Sequence, residues 1–211
     1  MKTRLLLGFL GLFFILTVSG AQAALIYDNG LPNGQGGNEM TAWIQAEDFT
    51  FTASQTVTAV RFWALDLAGG AAYQGSVVWQ IYNDNSGQPG ALLASGSAAP
   101  PAVVYQSTAY GPDYQFDFSI GSQALLAGTY WLGLHNGPLT TQNRAQLYWE
   151  TTGFNGTFTG HEDIAPFTGA WFDNGQEHAF QLFNQVPIPG AFWLLGSGLL
   201  GLAGLRRKFN L

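Results

Sequence analysis

The 211-residue chain contains no cysteine, which excludes disulfides, thiolate nucleophiles and zinc–thiolate sites together and leaves stability to packing alone. Positive charge is almost as scarce. Five of the seven cations, Lys2, Arg4, Arg206, Arg207 and Lys208, lie near the two ends, and the stretch between holds only Arg61 and Arg144 against thirteen acidic residues, a net charge of −11. So acidic a body is a poor partner for nucleic acid or an anionic membrane surface. Amphipathic helical periodicity is missing between the ends, as are a G-x-S-x-G nucleophile elbow and an H-E-x-x-H zinc motif.

What is present begins with an export signal. Lys2 and Arg4 precede an apolar run from Leu5 to Val18, and Ala21 and Ala23 supply the small residues of an A-x-A cleavage site before Ala24. The run is too short for a bilayer span of roughly 20 residues. The chain therefore divides into a signal peptide (1–23), one domain (24–185) and a C-terminal tail (186–211).

Within the domain the dominant period is two. Tyr114, Phe116, Phe118 and Ile120 alternate with Gln115, Asp117 and Ser119, the pattern of a strand with one buried face. Similar runs occupy 49–52, 57–65, 77–82, 103–105, 129–134, 145–150 and 178–183, separated by Gly, Asn, Asp and Pro. This predicts an all-β, antiparallel two-sheet β-sandwich, jelly-roll-like in form, flanked by a signal-peptide helix and a C-terminal transmembrane helix. Phe116, Phe118, Trp131 and Leu132 are expected to pack between the sheets or on their faces.

Candidate sites are few. Gly196, Gly198 and Gly201 fit G-x-G-x-x-G, but the residues from 202 to 211 contain no strand pattern and no acidic residue, so no dinucleotide site follows and no cofactor is implied. His135, His161 and His178 sit in no catalytic motif, and "HED" at 161–163 reads as a solvated loop. Asn83, Asp84 and Asn85 offer hard oxygens for calcium, although a turn uses the same residues for its own hydrogen bonds. A secreted hydrolase would need paired carboxylates, for which Glu150 with Glu162 or Asp163 are the candidates; nothing in the sequence sets their acidities apart, and a non-enzymatic protein is expected. Trp149 and Trp171 bracket a loop-rich stretch and are the expected exposed pair for stacking on a glycan. The sequon at Asn155 matters only in a host that glycosylates it.

The tail has three parts: a proline-stiffened hinge (186–189), an apolar segment of about 15 residues from Ala191 to Leu205, and the basic cluster Arg206, Arg207, Lys208. Such a helix covers about 22 Å of an apolar layer roughly 30 Å thick, and its cations hold the C-terminal end on the cytoplasmic side. "VPIPGAFWLLGSGLLGLAGLRRK" resembles the PEP-CTERM sorting signal of Gram-negative bacteria that make extracellular polysaccharide. Val186, Pro187 and Pro189 occupy the V-P-x-P positions, and Ile188 stands where many members carry Glu. The resemblance implies an exosortase as processing partner, transient anchoring in the inner membrane and delivery to the cell surface or biofilm matrix. In the body, "YDNG", "IYNDNSGQPGALLASG" and "LLAGTYWLGL" resemble the secreted β-sandwich modules called choice-of-anchor domains, of the R type. Extracellular polysaccharide is the implied neighbour, and the alternative reading is a carbohydrate-binding module with a specific, calcium-dependent glycan site.

Overall fold

A computed structural model describes residues 24–153 and 158–184. The calls on Ala21 and Ala23, on Asn155, on Val186, Pro187 and Pro189, and on Arg206, Arg207 and Lys208, with both flanking helices, fall outside the described residues. Those that are described form thirteen strands and no helix: β1 (Leu25–Asp28), β2 (Gly37–Glu39), β3 (Trp43–Phe51), β4 (Gln55–Asp66), β5 (Val77–Asp84), β6 (Pro89–Ala98), β7 (Val103–Ser107), β8 (Pro112–Leu125), β9 (Gly128–Asn136), β10 (Leu147–Glu150), β11 (His161–Ile164), β12 (Phe172–Asp173) and β13 (Phe180–Phe183).

All pairings are antiparallel and build two sheets, consistent with a β-sandwich. Sheet A is organised around β4. One side of β4 pairs with β8 along most of its length, and β7 lies beyond β8; its other side is shared by β13, which leads to β1, and by β10, which leads to β2. Sheet B runs β12-β11-β3-β9-β5-β6.

The alternation in β8 has the expected consequence. Phe116, Phe118 and Ile120 point into the core between the sheets, while Asp117 on the other face holds Arg61 in an ion pair of 2.6 Å. Because Phe62 is the register partner of Phe116, their rings meet at 4.8 Å, nearly parallel. Sheet B answers with Phe49 and Phe51 of β3, Val77, Trp79 and Ile81 of β5, and Leu132 and Leu134 of β9. All four expected core residues are buried, Trp131 on the outer face of sheet B, where it packs with Ala46 and Tyr82.

β6 escapes a reading by propensity because its run PGALLASGSA is small and flexible rather than β-branched. The second of its two glycines has a packing reason. A Cβ on Gly96 would lie 2.6 Å from the Trp79 ring, so only glycine lets β6 close over that indole.

Candidate functional site

Three polar clusters are built into the domain. The first lies inside the sandwich, where β3 alternates Gln45, Glu47, Phe49 and Phe51 on one side and so drives a carboxyl into the core. His178, just before β13, meets it: its backbone N–H donates to Glu47 Oε2 at 2.8 Å, and its ring Nδ1 lies 2.8 Å from the same oxygen. Nε2 faces Asn38 Oδ1 at 3.2 Å, and the Trp149 ring covers the imidazole at 4.9 Å. Gly160 seals the other flank, since a Cβ there would lie 2.7 Å from the ring.

Burial decides the protonation of this pair. It lowers His178 to about 3 and, with the nearby charge of Glu177, pushes Glu47 well above the usual carboxylate range. Both shifts disfavour the charged forms, so burial works against an ion pair at this contact. Both side chains are fully buried, so the network ties the start of β13 to β3 across the core. Around it Glu177 rises to about 7 and Asp48 to about 6, each mainly through burial; the Asn29 side chain restrains the first and the Phe158 backbone N–H the second. The hydroxyl of Tyr27 closes this rim by donating to Asn29 Oδ1 at 3.0 Å.

The second cluster sits on the outer face of sheet A. Asp113 of β8 accepts a hydrogen bond from Gln106 Nε2 at 3.1 Å, and Glu150 of β10 lies close enough to feel its charge. Both are fully buried. Burial raises Asp113 to about 6, and burial followed by the Asp113 charge raises Glu150 to about 8, moderated by the backbone N–H of Gly34. The partner of Glu150 is thus Asp113. Glu162 and Asp163, the sequence candidates, belong to β11 in the other sheet.

The third covers the outer face of sheet B. Residues 158–171 lay Phe158 on Trp131, set the His161 ring edge-on to Trp131 at 4.9 Å, and bring Trp171 to 5.3 Å from Tyr82. His161 is therefore a buried strand residue rather than a solvated loop histidine, because its place opposite Ala46 turns the ring onto that tryptophan. His135 is likewise fully buried, its ring nitrogens 2.9 and 2.7 Å from the carbonyl oxygens of Gly137 and Thr41.

The expected exposed tryptophan pair divides. Trp149 is fully buried, donates its indole N–H to Ala179 O at 2.9 Å and packs on Phe62 and Phe180, because the parity of β10 puts it on the core face with Leu147. Trp171 stays half-buried beside exposed Phe172. In the Asn83–Asn85 turn, Asp84 Oδ1 already accepts from the Trp131 indole at 3.0 Å and from the Gly87 N–H at 3.1 Å, so the carboxylate serves the turn and the covering layer. Among the described residues no group of three or more histidines and carboxylates is arranged to hold a metal ion.

Glu47 could have been found from its alternation with Phe49 and Phe51. Its partner could not, since His178 is 131 residues away along the chain. Comparisons of the chain with protein-family models, with curated proteins and with solved structures return no match.

Proposed function

We propose that this chain is an exported, non-enzymatic protein of the cell surface or extracellular matrix of a Gram-negative bacterium, sorted by its tail and processed there by an exosortase-type enzyme. The observation that carries the reading is the conjunction, in the last 26 residues, of V-P-x-P, an apolar segment and a basic cluster. The body supports it indirectly. Its buried histidines and several of its acids are committed to internal hydrogen bonds, as suits a module that serves as the cargo of a sorting signal. A jelly-roll-like arrangement of the two sheets belongs to the same proposal.

A second reading, a carbohydrate-binding module, draws on one observation: Trp171 lies half-buried against Tyr82 on the outer side of sheet B, with part of its ring open to solvent. Here the stacking residue would be Trp171 rather than Trp149.

The sorting reading separates two forces in the tail, the apolar segment that halts in the bilayer and the cations that hold its end inside. Replacing Arg206, Arg207 and Lys208 together with glutamine is expected to move protein from the membrane fraction to the soluble fraction several-fold, because the apolar term is marginal by itself. Cell fractionation measures this. Unchanged membrane retention of the triple variant would remove the stop-transfer role of the cluster.

A further inference from the structure

The strands that end the two sheets differ in charge. β1, β2 and β12 each carry a carboxylate, Asp28, Glu39 and Asp173. β6 and β7 carry none: from Asn85 to Pro112, 28 consecutive residues, there is no charged side chain. β6 ends sheet B and β7 ends sheet A, and among the described residues no strand pairs with the outer edge of either. Leu92 and Leu93 of β6 and Val103, Val104 and Tyr105 of β7 are each between 42% and 62% exposed. Register shifts interrupt the start of β6 and fall at Tyr105 in β7, which leaves Ala94–Ala98 and Val103–Val104 as the straight stretches with free backbone groups. Edge strands are ordinarily guarded by charged side chains, and here that guard is missing.

We propose that the β6–β7 side of the sandwich is a self-association face, on which a second copy of this chain docks edge to edge about a two-fold axis. Charge selects the occupant. Each copy carries a net −11 between its terminal segments, so two copies repel wherever acidic surfaces face each other and meet without that penalty along this uncharged side. A two-fold contact needs one patch that complements itself, and an unpaired antiparallel edge does so, since each strand supplies the donors and acceptors that the other lacks. A strongly charged partner would find nothing here to pair with. The inference is independent of how the tail is processed.

The cysteine-free sequence makes a direct test possible. Single variants Ser95→Cys, Val104→Cys and, as a control on a loop away from both edges, Leu31→Cys are made in the full chain, purified in mild detergent and oxidised. Disulfide-linked dimer is expected for Ser95→Cys or Val104→Cys at several times the Leu31→Cys level. Adding Leu93→Lys and Val103→Lys should return cross-linking to the control level while the circular dichroism spectrum stays that of the parent. Equal cross-linking at all three positions, cross-linking only to some other polypeptide, or dimer that persists with both lysines in a folded chain would overturn the proposal.

Discussion

Trp149→Ala is expected to cost about 3 to 5 kcal/mol of folding stability, the range for removing a large aromatic side chain from a well-packed core. The residue is fully buried, meets Phe62 and Phe180 edge-on and covers the His178 ring. Its loss opens a cavity where both sheets meet, leaves Ala179 O without the indole donor, and exposes one face of the Glu47–His178 pair. Domains of this size have about 5 to 15 kcal/mol in all, so the variant should be close to unfolding. Trp171→Ala removes a half-buried ring and should cost about 1 kcal/mol. Urea titrations of the two variants beside the parent measure the difference. Equal, small losses would return Trp149 to the surface and undo the register of β10.

The second large effect is on pH. Asp48 and Asp113 at about 6, Glu177 at about 7 and Glu150 at about 8 all lie above their ordinary values of 3.8 to 4.5. The folded protein therefore keeps protons that the unfolded chain releases. The stability these groups contribute is full below about pH 4 and is lost as pH rises through 6, 7 and 8 in turn. His178 acts in the opposite sense: at about 3 in the fold against an ordinary 6.5, it contributes fully above 6.5 and loses that contribution as pH falls toward 3. Four groups outweigh one, so the balance places maximum stability on the acid side, at about pH 4 or below. The thermal midpoint is expected to fall by roughly 5 to 10 °C between about pH 5.5 and about pH 8.5. Glu150→Gln removes the highest of these four ionisations and should recover part of that loss at the alkaline end, with little effect at pH 5.5. A midpoint that rises over the same interval, as it does where carboxylates are held ionised by cations, would contradict the assignment.

Particular residues show how far the sequence reaches. The alternation from Tyr114 to Ile120 placed one face of β8 correctly, and the β-branched and aromatic runs lie within β4, β5, β7 and β9 and overlap β3, β10 and β13 with overruns of one or two residues. The strands that went unread are short or poor in β-formers: Leu25–Asp28, Gly37–Glu39, His161–Ile164, Phe172–Asp173, and β6 with Gly96 under Trp79. Their conformation comes from the neighbour they pair with, which a local window does not contain. The polar clusters were harder still. Asp113 and Glu150 share a face because β4 lies between β8 and β10, and Trp131 is buried because residues 158–171 fold back over the outer side of sheet B. Both depend on strand order, and with that unknown the tryptophans beside a loop-rich stretch read as exposed when one of them is core.

The sorting proposal rests on the hinge being read by an enzyme while the apolar segment does the anchoring, and intact mass spectrometry of protein extracted from the surface of an exosortase-bearing host tests it most directly. Wild type is expected to have lost a C-terminal fragment of about 22 to 26 residues, the span from hinge to basic end. The double variant Pro187→Ala, Pro189→Ala is expected to insert as before and keep that fragment. Wild-type surface protein that still ends at Leu211 would mean that the tail is a plain anchor and that the sorting account is wrong.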